Sequence, residues 1–125
     1  MKKVINISNA AKPIGPYNQA VKYGNMLFTS GQIAINARGE FLNESIETET
    51  HQVFKNIMAL LKEEHLNLKH VLKVSIFLKD MNDFATVNAI YTGYFEGSDF
   101  PARETVQVAK LPKDARIEIS VVAGK

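Results

Sequence analysis

Two stretches of the sequence, residues 101–111 and 115–122, restrict the fold most strongly because each alternates apolar and polar side chains. A period of two is the pattern of a β-strand, whose successive side chains point to opposite faces of a sheet. Each stretch carries a charged residue on its polar parity, Arg103 in the first and Glu118 in the second. We therefore predict two strands whose polar faces carry Arg103 and Glu118.

The chemistry of these two charges leaves two interpretations open. In the first, Arg103 and Glu118 lie on a solvated sheet face and form a salt bridge, as on many sheets with one face in water. In the second they form a site, since the planar fork of an arginine suits a carboxylate and a glutamate can accept and return a proton. Glu118 stands between two isoleucines, where an unpaired carboxylate is costly unless it is used.

Apolar spacing divides the rest of the chain into short strands and two helices. Residues 45–64 repeat apolar side chains at helical intervals with Phe54 at the margin of the stripe, and Asn67 is expected to end this helix. Residues 72–79 alternate as a strand, and Asp80 is expected to cap a second helix. Three shorter strands are predicted before the first helix, near residues 4–7, 20–23 and 26–29.

The order of these elements predicts an α+β fold with a single mixed β-sheet packed on one face by two helices. We expect one domain over residues 1–125. Two helices cover only one sheet face. The other face carries Phe77 and the valine and isoleucine side chains at alternate positions of several strands, so we expect it to contact further copies of the chain.

Composition excludes several classes of function. The net charge of +2 and the scattered lysines do not favour a nucleic-acid surface, and the absence of cysteine excludes disulfides, thiolate zinc sites and a cysteine nucleophile. His51, His65 and His70 lack the spacing of metal ligands, and Ser30 lacks the G-x-S-x-G surroundings of an activated serine. No apolar run suits a signal peptide or a membrane span, so we expect a cytoplasmic protein without metal or cofactor.

Four sequence segments resemble, in order and spacing, those of the Rid/YjgF family of enamine/imine deaminases. The most specific is P-A-R-x-x-V-x-V-x-x-L-P with I-E-I after it, which here spans residues 101–119. The other three are Ile14–Tyr17, residues 25–33 and Lys79–Phe84. The resemblance implies a chorismate-mutase-like fold, assembled as a homotrimer whose sheets form a central barrel, with three sites in the clefts between subunits.

The same resemblance implies the roles of seven residues. Arg103 holds the substrate carboxylate, Glu118 positions or activates water, and Tyr17 lies over the ligand. The implied substrate-binding residues are Ser30, Gly31, Asn88 and Thr105. On pattern alone, Tyr17 also suits an amphipathic cleft residue, Ser30 a strand-end hydroxyl, and Asn88 a satisfied polar residue of the helix.

Three positions depart from the pattern of the family. Glu104 stands where a small residue is usual, and strand parity predicts that it points away from Arg103. Ser120 replaces an acid that is common two residues after Glu118, and Thr105 replaces a frequent cysteine. These departures bear on substrate preference more than on activity.

The implied activity is cofactor-free hydrolysis of reactive enamines and imines, such as 2-aminoacrylate, 2-iminopropanoate and 2-iminobutanoate, to 2-keto acids and ammonia. The alternative is a non-catalytic regulatory protein that binds small carboxylates in the same inter-subunit cleft. A ribonuclease or translation inhibitor receives little support, because the sequence has no histidine pair and no basic stripe with interleaved aromatic residues.

Overall fold

The computed structural model describes residues 1–125, and its strands form one mixed sheet. The strand order is β1-β2-β3-β6-β4-β5, in which β4 and β5 run parallel and every other pair is antiparallel. The predicted α+β fold is confirmed. Its elements are β1 (Lys3–Ile5), β2 (Ala20–Tyr23), β3 (Met26–Thr29), α1 (Ile46–Glu63), β4 (Val71–Leu78), α2 (Phe84–Phe95), β5 (Ala102–Gln107) and β6 (Ile117–Gly124).

Both helices pack on one face of the sheet, where one parity of the central strands is buried. Val74, Ile76 and Ile119 are fully buried there and belong to the same apolar cluster as Phe54 and Phe95 of the two helices. Burying a side chain of this size contributes about 1.5–3 kcal/mol. Phe54 therefore lies in the centre of the core. The prediction that it lies at the margin of the helical stripe is wrong.

The first helix begins as expected and ends earlier than predicted. Ser45 accepts a hydrogen bond from the backbone N–H of Thr48, which caps the helix start. At the other end, the N–H of Leu66 donates to the carbonyl of Leu61, and His65 takes the left-handed conformation with φ 58°. The prediction that Asn67 ends the helix is wrong, because the chain turns back at His65 to bury Leu66.

Asp80 caps a short turn that precedes α2 and does not cap α2 itself. Its carboxylate accepts from the backbone N–H of Asn82 and begins the 3₁₀ turn Met81–Asp83, which leads directly into Phe84. The strand alternation also fails at Leu72, which is exposed because a bulge interrupts the pairing of β4 with β6.

The other face of the sheet has no helix over it and remains partly apolar. Phe28 and Val106 are each 45% exposed on this face, and Phe77 is half-buried between β5 and β6. An exposed apolar sheet face suits contact with another protein surface. No helix combines the length and the apolar character that crossing a bilayer requires.

Candidate functional site

The sheet separates the two charged residues that the sequence singled out. Arg103 of β5 pairs with Val74 of β4, whose side chain is buried against the helices. Glu118 of β6 pairs with Phe77 of β4, which has the opposite parity to Val74 and so points away from the helices. Arg103 therefore points to the helix face of the sheet and Glu118 to the open face.

Two sequence interpretations change as a result. Arg103 and Glu118 do not form a salt bridge, and neither of them takes part in any ion pair. The polar parity of β5 also lies on the helix face of the sheet, where Arg103 contacts α2, while Val106 of the apolar parity faces the open side. Alternation gave the correct period and could not give the face.

Arg103 and the residues around it form an arginine half-site between β5 and α2. One guanidinium nitrogen, Nη1, donates to Oδ1 of Asn88 over 2.7 Å. The guanidinium carbon lies 4.8 Å from the ring centre of Tyr91 and 5.7 Å from that of Phe84, so two aromatic faces support the charge. Asn88 uses one donor of the fork, and no carboxylate occupies the others.

A cleft of about 370 Å³ opens beside this guanidinium. Phe100 and Pro101 form an apolar wall of the cleft, and Asn88 and Thr92 supply polar groups. Tyr91 and Phe84 were visible in the sequence only as part of an apolar helical stripe. Their spacing from Asn88 on one helix, three and four residues, is the signal that they share a face with it.

Thr105 lies two residues after Arg103 on the same face of β5. Its Oγ1 is buried and has no hydrogen-bond partner, and the same holds for the hydroxyl of Tyr91. The N–H of Val108 donates to the carbonyl of Leu78, so alternation along the strand directs the N–H of Thr105 away from β4. Because β5 is an edge strand, this backbone donor is free.

Glu118, Gly31, Tyr17 and Ser30 form a glutamate half-site on the other side of the sheet. The carboxylate of Glu118 packs directly on Gly31, where an added Cβ would lie 2.6 Å from Cδ. A side chain at position 31 would therefore displace the Glu118 carboxylate, whereas the backbone angles of Gly31 place no such demand. Glu118 makes no hydrogen bond, and burial raises the pKa of its carboxyl above the ordinary value.

Two features of the backbone build this half-site. Gln32 and Ile119 exchange backbone hydrogen bonds, which holds residues 30–31 close to β6 beside Glu118. The N–H of Gly31 itself forms no hydrogen bond in the structure and is a free donor next to the carboxylate. Tyr17 is 45% exposed, and it lines a small cavity of about 30 Å³ together with Gly31.

The hydroxyl groups of Tyr17 and Ser30 both have local partners. Tyr17 accepts from the N–H of Ile14 over 3.2 Å, while Ser30 donates to the carbonyl of Asn18 over 2.6 Å. The hydroxyl proton of Ser30 is thus committed to the loop that carries Tyr17. No histidine hydrogen-bonds to this hydroxyl; His51 bonds to the hydroxyl of Tyr94 and His70 to the N–H of Asn67.

Glu104 lies on the face that strand parity predicts. Its carboxylate pairs with Nζ of Lys73 over 3.0 Å on the open face, away from Arg103. The guanidinium is therefore not neutralised by its neighbour in sequence. Ser120, which replaces the frequent acid, forms no side-chain hydrogen bond and leaves Glu118 as the one carboxylate of β6.

The fold and the site define an α+β protein with an unpaired guanidinium on one sheet face and an unpaired carboxylate on the other. A family model described as Endoribonuclease L-PSP matches residues 7–125, which is most of the chain. A crystal structure of a Rid family protein of unknown function, YyfA from Yersinia pestis, superimposes with a TM-score of 0.97 at 44% identity and covers 100% of both chains. The chain belongs to this family, the Rid/YjgF family.

Three relatives of known name show the range of descriptions in the family. A RutC family protein of Pyrococcus horikoshii is 51% identical over 100% of this chain and 99% of its own. A putative regulator, AldR, of Lactococcus lactis is 48% identical over 97% and 96%. The 2-iminobutanoate/2-iminopropanoate deaminase of Escherichia coli K12 is 42% identical over 98% of each chain.

Proposed function

We propose that the protein is a hydrolase of 2-imino acids, of the 2-iminobutanoate/2-iminopropanoate deaminase type. The observation that carries the proposal is the pair of unpaired charges, the Arg103 fork and the half-buried carboxylate of Glu118. An arginine already supported by Asn88 and two rings is preorganised for a substrate carboxylate. A carboxyl with a raised pKa suits proton transfer near neutral pH. The deaminase relative at 42% identity gives the reaction class.

The two half-sites serve one substrate only when two chains meet. In one chain the sheet lies between Arg103 and Glu118, so neither side chain reaches the other without crossing a layer of backbone. The partly apolar open face offers a surface on which copies can pack. The proposed active unit is a homotrimer in which each cleft takes Arg103 from one subunit and Glu118 from the next.

The reaction needs only water and a positioned acid and base. Glu118 accepts a proton from water as the water oxygen bonds to the imine carbon, and it passes that proton to the imine nitrogen to give a carbinolamine. Glu118 then accepts the hydroxyl proton of the carbinolamine and donates it to the nitrogen as the carbon–nitrogen bond breaks, so ammonia leaves and the carbonyl of the 2-keto acid forms. Arg103 binds the carboxylate throughout and so fixes the carbon that is attacked.

The supporting residues act on the same substrate. The free backbone donors of Gly31 and Thr105 suit the carboxylate or the developing carbonyl oxygen, and Tyr17 covers the ligand. Asn88 orients Arg103 through its hydrogen bond.

A second candidate function is binding without catalysis. The relative described as a putative regulator favours it, because a cleft with one arginine binds a small carboxylate whether or not Glu118 acts on water. The two candidates predict different consequences for a change at Glu118.

Glu118→Gln separates the enzyme from the binding protein. The substitution keeps the shape and removes proton transfer, so hydrolysis of freshly generated 2-iminobutanoate should fall by about 10²-fold or more. Binding of 2-ketobutanoate, measured by calorimetry, should persist because Arg103 is unchanged. The variant should be at least as stable as the parent at neutral pH, since it removes a carboxylate that burial disfavours. Unchanged ammonia release would refute the proposed function, and equal losses of binding and turnover would make Glu118 a ligand-orienting residue.

A further inference from the structure

We propose that Gln19 is a positioning residue that holds the Tyr17 loop, residues 6–18, in the conformation that catalysis needs. The inference rests on the proposed function for its effect on turnover. Gln19 stands immediately before β2 and does not itself carry reactive chemistry. It is one of the most completely buried polar residues of the chain, with 2% of its surface exposed.

Every hydrogen bond that the side chain of Gln19 makes goes to one loop. Its Oε1 accepts from the N–H of Ile7 over 2.6 Å. Its Nε2 lies 3.1 Å from the carbonyl oxygen of Ile7, 3.3 Å from that of Ala10 and 2.7 Å from that of Ala11. An amide has two protons, so these three carbonyls share them. One buried side chain thus binds both N–H and carbonyl groups of the backbone between residues 7 and 11.

The backbone of Gln19 ties the same loop to the glutamate half-site. The N–H of Gln19 donates to Oδ1 of Asn6, and the N–H of Ser30 donates to the carbonyl of Gln19 over 2.9 Å. Asn18 accepts from both sides, through its carbonyl from the Ser30 hydroxyl and through its side chain from Asn6. The loop is therefore closed at its base by residues 18 and 19.

This loop has almost no apolar core of its own. Among residues 6–18 only Ala10 is buried, with 1% of its surface exposed. Loops of this kind keep their shape through hydrogen bonds, since few buried contacts support them. Tyr17 is on the exposed part of the loop, so its position depends on the backbone that Gln19 holds. A misplacement of about 1 Å in a catalytic group can reduce a rate by about 10²-fold.

Gln19→Glu is the sharpest test because it keeps the size and changes the donors. At neutral pH its carboxylate still accepts from Ile7, but it faces the carbonyl oxygens of Ala10 and Ala11 without a proton to give. We expect kcat/KM for imine hydrolysis to fall about tenfold or more, with faster amide hydrogen exchange confined to residues 6–18. Lower pH should raise the protection factors of these amides again, after correction for the slower intrinsic exchange in acid, because a protonated glutamic acid regains one donor.

A double-mutant cycle with Tyr17→Ala distinguishes positioning from general damage. If Gln19 acts through Tyr17, Gln19→Glu should cause no further loss of turnover in the Tyr17→Ala background. Val53→Ala, a core change in α1 away from the loop, is the control for lost stability and should leave turnover per folded molecule unchanged. Should Gln19→Glu fail to fold, Gln19→Met, which has similar length and no donors, replaces it in the same cycle.

Each outcome has a definite meaning. Additive losses in the cycle, or unchanged exchange in residues 6–18, would overturn the inference. If Tyr17→Ala alone leaves turnover unchanged, the inference falls as well, while Glu118→Gln still decides the proposed function independently.

Discussion

Mixing two inactive variants should restore activity, because the sheet places Arg103 and Glu118 on opposite faces. Arg103→Ala removes one half-site and Glu118→Gln the other, and each variant alone should be nearly inactive. Neither change removes buried apolar surface, so both variants should fold and assemble. When the two are co-expressed in equal amounts, clefts form between all combinations of subunits.

The expected recovery follows from the geometry. A cleft is intact when its arginine comes from the Glu118→Gln variant and its glutamate from the Arg103→Ala variant, which random assembly gives in about one quarter of clefts. A site built within one chain gives no recovery at all. Ammonia release from 2-iminobutanoate, normalised to that of the parent protein, measures the fraction directly.

The matched control is a mixture of the parent chain with the double variant Arg103→Ala/Glu118→Gln. A cleft shared between subunits again gives about one quarter of the parent activity, whereas a site within one chain gives about one half. Recovery near zero in the first mixture together with about one half in the second would refute the shared cleft. Sedimentation equilibrium of both mixtures checks that they form assemblies of the same size, expected to be trimers.

Two further changes test local features of the structure. Gly31→Ala should displace the Glu118 carboxylate, which an added Cβ would approach within 2.6 Å, and should lower turnover about tenfold or more while the Tm changes little. The control is Gly93→Ala, at a helix position with open space, which should keep full turnover. Equal turnover of both variants would show that the contact between Gly31 and Glu118 is unimportant. Glu64 accepts from Lys3 and Lys22, and these hydrogen bonds hold the pKa of its carboxyl below the ordinary value. Its contribution to stability is thus complete above the unfolded-state pKa of about 4.3 and is lost as the pH falls through the lower folded-state pKa. Urea midpoints of the parent should exceed those of Glu64→Gln at pH 7 and converge with them in strong acid; a constant difference would contradict this.

The sequence was sufficient to predict the helices and strands, and insufficient to predict how the candidate site residues are arranged around the sheet. Helical and alternating periods identify both helices and the long strands because burial imposes those periods on any chain that folds this way. Parity also predicted correctly that Glu104 points away from Arg103, since this depends on one strand alone.

The sequence did not show which strands pair or which face of the sheet each parity takes. Which parity of β5 faces the helices depends on its parallel pairing with β4, and nothing local in residues 101–111 encodes that partner. The hydrogen bonds of Gln19, on which its proposed role rests, were equally hidden, because a single amide among loop residues has no period. Its significance comes from carbonyl groups up to twelve residues away that only the folded chain brings to it.

The threonine at the edge of β5 has a consequence for redox chemistry. Position 105 carries a hydroxyl whose oxygen is buried near the proposed carboxylate site, and the chain has no cysteine anywhere. Peroxide and alkylating reagents act on thiolates far more readily than on aliphatic hydroxyls. Where a cysteine at this position would be open to sulfenylation or alkylation, Thr105 leaves the site without a thiol to be oxidised or blocked. We expect the protein to keep its activity through oxidant exposures that inactivate thiol-dependent enzymes.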